Sequence, residues 1–178
     1  MQLFLSLIVL VNANLKDIKS AALTNFVSSA KILGISTSET DDSNFVPVYK
    51  SGVYIDVDLS QQKLRFVSDG KVLKSYAISS GAPENPTPTG SFKILNHAVD
   101  WVNGSGDHLP YWLGFSGQAK GLVTYGFHEV PYKAGEKDQR DFSQLGKPVS
   151  SGCVRLSTEG AKYLYGHSSI GTRVEIHE

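Results

Sequence analysis

Cysteine is nearly absent from this sequence: among 178 residues only Cys153 carries a thiol. One thiol excludes an internal disulfide framework and a structural zinc cluster built on cysteines. An excess of charge of either sign is also missing, since 17 Lys and Arg balance 17 Asp and Glu. With no basic run to follow a phosphate backbone, no nucleic acid partner is expected. The five histidines include no pair at the close helical spacing of a zinc site, so no metal is expected either. The glycines of "GSGDHLPYWLG" lack the strand, loop and helix setting and the lysine of a phosphate loop, which argues against nucleotide binding.

What is present describes a globular protein: 40% hydrophobic residues, 10% aromatic, and 17 glycines that imply many turns. The chain begins with an apolar run, Leu3 to Val11, followed by Val11-Asn12-Ala13, the small-residue pattern that a signal peptidase reads. No Lys or Arg precedes the run, and it is shorter than the ~20 apolar residues of a membrane span. Two readings stay open, an exported protein with a signal segment or short membrane anchor, and a buried core helix or a fragment of a longer protein. Ile18, Ala22, Phe26, Ala30 and Leu33 recur at helical intervals, with Gly34 as a stop. The expected organisation is therefore an apolar segment and helix over residues 1–35, a polar linker over 36–51, and one domain over 52–178.

Within that domain the period changes to two. Val53, Ile55, Val57 and Leu59 alternate with Tyr54, Asp56, Asp58 and Ser60, which predicts a half-buried strand. Leu64 to Val67 predicts a second strand, Asp69-Gly70 a hairpin turn, and "KVLKSYAIS" a third strand. A proline-restricted loop, "GAPENPTPTG", leads to a strand at "SFKIL". "HAVDWVNGSGDHLPYWLGFSGQAKG" is aromatic and aperiodic and reads as a long surface excursion with short strands. "LVTYGFHEV" reads as a strand ending at His128, and "PYKAGEKDQRDFSQLGKP" as a polar loop. Ser157 caps a short helix with Ala161, Leu164 and Tyr165 inward, and "GTRVEIH" closes as a strand. The class is mostly β, a sandwich or barrel with one or two short peripheral helices.

Cys153 admits two readings. A free cysteine is often an inert, buried packing element. It becomes a nucleophile when a nearby imidazole takes its proton, and His128, at the end of a strand whose following loop returns the chain to Cys153, is the best-placed histidine. The amides of Gly152 and Cys153 could then stabilise an oxyanion, a set suited to acyl transfer.

Taken in order, "IDVDLSQQKLRFV", "SSGAPENPTPTGSFKI", "YGFHEV", "LGKPVSSGCVRLSTEGAKYLY" and "GTRVEI" resemble the L,D-transpeptidase catalytic domain, also called the YkuD domain, from about Gly52 to Ile176. The resemblance implies that Cys153 is the nucleophile, His128 the general base, and Gly152 and Cys153 the oxyanion-hole amides. It also implies that the backbone carbonyl of Glu129 orients the histidine. Arg155 matches the family's arginine and either holds a substrate carboxylate or braces the site. Ser151 stands where the family often has histidine, and Glu129 where it usually has a small residue. Tyr111, Trp112 and Phe115 are read as a loop that covers the acyl-donor site or as core.

The implied activity is 3-3 cross-linking of peptidoglycan stem peptides through a Cys153 thioester, with release of D-alanine and no cofactor. Stem peptides are then the partners, as acyl donor and amine acceptor. Water as acceptor makes an L,D-carboxypeptidase and a protein amine an anchoring enzyme, while loss of chemistry leaves a wall-binding module. A monomer working outside the cytoplasm, with N-terminal membrane association, is expected. So is a bell-shaped pH profile with His128 near its transition.

Overall fold

The computed structural model describes residues 42–116, 125–136 and 139–178. The apolar segment and the helix expected over residues 1–35 lie outside the described residues, as does the start of the expected linker. The strands are β1 (Val53–Asp58), β2 (Lys63–Ser68), β3 (Lys71–Ala77), β4 (Gly90–Lys93), β5 (Asn96–Val102), β6 (Asp107–Ser116), β7 (Tyr125–Glu129), β8 (Tyr132–Lys133), β9 (Val154–Leu156) and β10 (Arg173–His177). One helix, α1 (Thr158–His167), lies between β9 and β10.

The strands make two sheets. The first runs β3-β2-β1-β10-β4, with β1 and β10 parallel and the other pairs antiparallel. The second runs β5-β6-β7-β9, with β8 added beside β6 and with β7 and β9 parallel. Ile55, Val57, Leu64 and Phe66 of the first sheet share one buried core with Leu113, Phe115, Phe127, Val154 and Leu156 of the second. This is the mostly β architecture expected from the alternating pattern. Asp69 and Gly70 take positive φ, 49° and 73°, as the tight β2–β3 turn requires.

Two expectations change. From Tyr54 onward β1 is buried on both faces, because Tyr54, Asp56 and Asp58 are covered as well as Ile55 and Val57, while Val53 is exposed. Arg65 makes this possible: its guanidinium donates to Asp56 at 3.0 Å and to Asp42 at 2.7 Å, so charges that are costly to bury alone are paired. Asp42 also accepts from Ser75, and the Val48 amide donates to the Tyr54 hydroxyl at 3.0 Å, so residues 42–51, without regular structure, are tied to this sheet. The second change concerns the aromatic stretch after His97. It is an antiparallel hairpin of β5 and the ten-residue β6, turned at Asn103, whose side chain accepts from the amides of Ser105 and Asp107 at 2.9 Å each. Tyr111, Trp112 and Phe115 therefore lie on a strand and not in a loop. Tyr111 has φ 57° and the pairing with β5 skips it, which is why alternation is not legible there.

Ser157 caps α1 by accepting from the Gly160 amide at 3.1 Å, and Gly160, Ala161 and Leu164 face inward. The polar loop after β7 contains the short β8 and a 3₁₀ turn, Phe142–Gln144, capped by Asp141.

Candidate active site

The second sheet decides which side chains meet. β7 and β9 are parallel, with Phe127 opposite Val154 and His128 opposite Arg155. Side chains alternate along a strand, so Phe127 and Val154 go to the core while His128 and Arg155 share the other face. Cys153 precedes β9 by one residue and is two residues from Arg155, which puts it on the His128 face. One step back along the register is Gly126, whose backbone hydrogen-bonds the thiol.

His128 is only 2% exposed. Its Nδ1 lies 2.6 Å from the carbonyl oxygen of Glu129, so Nδ1 carries the proton and Nε2 is left with a free lone pair. This is the carbonyl to which the resemblance assigns the orienting role. Trp112 stacks on the imidazole at 6.0 Å and 24°, and Trp101 stacks on Trp112 at 5.9 Å and 25°. The Trp112 indole is held by its Nε1, which donates to Asn96 at 2.9 Å. Trp112 is thus a wall behind the histidine, whereas Tyr111 is turned towards α1, where its ring meets Tyr165 and Lys162.

Gly126 makes room for this wall. A Cβ at that position would stand 2.6 Å from the indole and 2.9 Å from the Leu113 carbonyl. Gly126→Ala is therefore expected to destabilise the domain by about 1–3 kcal/mol and to push Trp112 off His128. Thermal unfolding and indole fluorescence would read both effects, and an unchanged midpoint would refute them.

The loop carrying the thiol is fixed from three directions. Gly152 has φ 111°, a left-handed value that suits glycine, and a Cβ there would stand 2.4 Å from the Tyr125 ring. The Thr87 hydroxyl donates to the Gly152 carbonyl at 2.9 Å and accepts from the Gly81 amide at 2.8 Å. Ser150 Oγ accepts from the Gly152 amide at 3.1 Å and donates to the Cys153 carbonyl at 2.5 Å. Of the two amides expected in an oxyanion hole, that of Gly152 is thus engaged by Ser150. The segment from Ser79 to Ala82 runs along the same loop through backbone bonds to Arg155 and Ser150. Thr87 and Ser150 were not singled out as site residues; the threonine-proline repeat of the 81–90 loop was the available signal.

Arg155 donates through Nη1 to Gln144 at 2.5 Å. Gln144 braces one end of the guanidinium, and the buried Nε–H is left without a partner among the described residues. Ser151 is exposed at the rim.

Burial dominates the electrostatics. It pulls the His128 imidazole down from its ordinary 6.5 to about 4, helped by the Arg155 charge and opposed by the Glu129 carbonyl. Burial also pushes the Cys153 thiol up, against the Gly126 backbone hydrogen bond and the Arg155 charge. At neutral pH the resting pair is a thiol and a neutral imidazole, and His128 is far from the transition expected of it. The cause is the Trp112 wall and the core behind it, neither of which spacing reveals.

A half-buried thiol just before β9, a neutral imidazole on β7 with one nitrogen tied back, and a braced cation on β9 lie on one face of a two-sheet β fold. The sequence model of the L,D-transpeptidase catalytic domain, YkuD, matches residues 52–176, and the chain belongs to that family. It is 26% identical over 172 residues to Bacillus subtilis YciB, covering 92% of this chain and 80% of that protein. It is 31% identical over 129 residues to Bacillus subtilis YkuD, covering 72% and 68%. Both relatives carry L,D-transpeptidase names. Among solved structures, an L,D-transpeptidase from Stackebrandtia nassauensis superposes with a TM-score of 0.61 at 24% identity, over 78% of this chain and 62% of that one. The transpeptidase LdtMt1, solved in complex with imipenem, gives 0.54 at 19% identity, over 71% and 59%. The chain thus spans less than two thirds of the length of these solved structures.

Proposed function

We propose that this chain is a cysteine-dependent L,D-transpeptidase of peptidoglycan, working outside the cytoplasm. The observation that carries the reading is the pairing of β7 with β9, which sets a tied-back His128 imidazole on the same face as the Cys153 thiol. His128 Nε2 takes the thiol proton as Sγ attacks the carbonyl carbon between the stem's diamino residue and its terminal D-alanine. The C–N bond breaks, the proton passes to the departing amine, and the acyl group remains on sulfur as a thioester. A side-chain amine of a second stem then attacks the thioester, giving a 3-3 cross-link and regenerating the thiol. The Cys153 amide serves the oxyanion. The unpartnered Arg155 Nε is the donor for a substrate carboxylate. Export is the part of the reading supported by the Leu3–Val11 run and the small residues after it.

Intact-protein mass spectrometry after incubation with imipenem tests the chemistry. One covalent adduct per chain is expected, together with release of D-alanine and formation of dimers from tetrapeptide muropeptides. Folded protein that gains no mass and releases no D-alanine would overturn the proposal.

A further inference from the structure

Glu129 is held at both ends. Its backbone carbonyl accepts from His128 Nδ1 at 2.6 Å. Its carboxylate, on a residue only 2% exposed, accepts from the Arg140 guanidinium and from the Thr158 hydroxyl. Alternation along β7 sends the imidazole and the carboxylate to opposite faces, so the Glu129–Val130 peptide, which carries the orienting carbonyl and whose Val130 amide donates to the Leu156 carbonyl at 3.0 Å, is gripped through the Glu129 side chain from the side away from the thiol.

Arg140 is itself fixed. Its guanidinium lies over the Tyr132 ring at 5.7 Å and the Phe142 ring at 5.3 Å. Tyr132 stacks on His108 at 4.9 Å and 5°, and His108 Nδ1 is 2.6 Å from Asp100. The grip is therefore continuous from the β5–β6 hairpin, through the loop after β7, to the carbonyl behind His128. Thr158 adds the first residue of α1 as a second anchor.

We propose that Arg140 and Thr158 are positioning residues for His128, acting through Glu129 to fix the carbonyl that sets its tautomer and orientation. The proposal rests on His128 being the base. A buried carboxylate that loses its cation must find water or a new partner. Without Arg140, Glu129 turns outward and carries its peptide along, which lengthens the Nδ1–H···O bond. An imidazole no longer tied at Nδ1 samples the wrong tautomer, and small displacements of this kind are costly in rate.

The experiment compares the full chain with Arg140→Ala, Arg140→Lys and Thr158→Val. The readouts are the NMR signal of the His128 Nδ1 proton, the rate of acylation by imipenem against pH, and thermal unfolding. In the parent protein the Nδ1 proton is expected far downfield and protected. In Arg140→Ala it broadens or disappears, and acylation at pH 7 falls by about tenfold. The groups facing His128 are Cys153 and Arg155 from β9 and Glu129 on its own strand, and only the Glu129 carbonyl pulls the imidazole upward. Its loss therefore moves the acidic limb of the rate profile to lower pH, which destabilisation alone does not do. Arg140→Lys restores part of the rate, and Thr158→Val shifts all readouts the same way by less.

An unchanged Nδ1 signal and acidic limb in Arg140→Ala, whatever its unfolding temperature, overturn the proposal. If that variant does not fold, an unshifted Thr158→Val does the same. A parent protein inert to imipenem counts against the proposed function, while the Nδ1 signal still decides the positioning role.

Discussion

Cys153→Ala is expected to abolish the imipenem adduct and the release of D-alanine while leaving the fold intact. Cys153 is half-buried at the rim of the core, and its loop is held by Thr87, Ser150 and the Ser79–Ala82 segment through bonds that do not involve sulfur. Removing the sulfur thus takes away the proposed nucleophile without releasing the loop. Cys153→Ser is the stricter test. An imidazole held near 4 is a weak base. It can serve a thiol, which even when burial pushes it up is far more acidic than a hydroxyl and is intrinsically a strong nucleophile, but a hydroxyl is a far poorer match. Serine is therefore expected to lower acylation by roughly 10³-fold or more. Mass spectrometry of all three proteins and near-ultraviolet circular dichroism check the two halves of the statement. An adduct that persists in Cys153→Ala would place the nucleophile elsewhere.

The parts of this site that were legible in the sequence are those whose cause is local. The glycine before Cys153 marks a left-handed turn, and the alternation of "YGFHEV" places His128 on a strand. The core face of β1 could be read from Ile55 and Val57, although Val53, which continues the same alternation, is exposed at the strand's start. Its other face could not, because Asp56 is buried only by virtue of Arg65, on another strand, and Asp42 joins the same cluster from outside the strands. The β5–β6 hairpin was hidden for a different reason. Tyr111 takes a left-handed φ in mid-strand, and the aromatic residues around it serve two different neighbours, His128 for Trp112 and α1 for Tyr111. Glu129 is the most instructive case. As a departure from the family's small residue it gave no hint of purpose, since its partners Arg140 and Thr158 lie in a polar loop and at a helix start that only the folded chain brings to it.

His128→Gln is expected to slow acylation by about 10²–10⁴-fold, the usual worth of a positioned general base, and to alter stability in acid in a defined window. His128 in the folded protein is pulled to about 4, below its ordinary 6.5. An unfolded chain therefore takes up a proton here before the folded one does. The stability conferred by keeping His128 neutral is complete above pH 6.5, is lost as pH falls from there towards 4, and changes no further below that. A shift of this size corresponds to roughly 3 kcal/mol. The carboxylates of Asp42 and Asp58 are held below their ordinary value of 3.8, despite burial, by hydrogen bonds and nearby cations. Their stabilisation is present above 3.8 and is lost at lower pH, outside the His128 window. His177 runs the other way. Burial lowers it, but the Glu178 carbonyl and Asp56 raise it by more, so its contribution is complete below 6.5 and is lost as pH rises through its folded value. Subtracting the variant's denaturation curves from those of the parent, from pH 8 to pH 4, removes these common contributions. The difference should grow through the window between 6.5 and 4. As the base proposed above, the same imidazole accepts the thiol proton only when neutral, so acylation of the parent should stay level from roughly pH 5 to 8 and fall with a midpoint near 4. A fall centred near 6.5 would mean that water reaches His128 in the working protein and that the wall of Trp112 and Gly126 does not keep it dry.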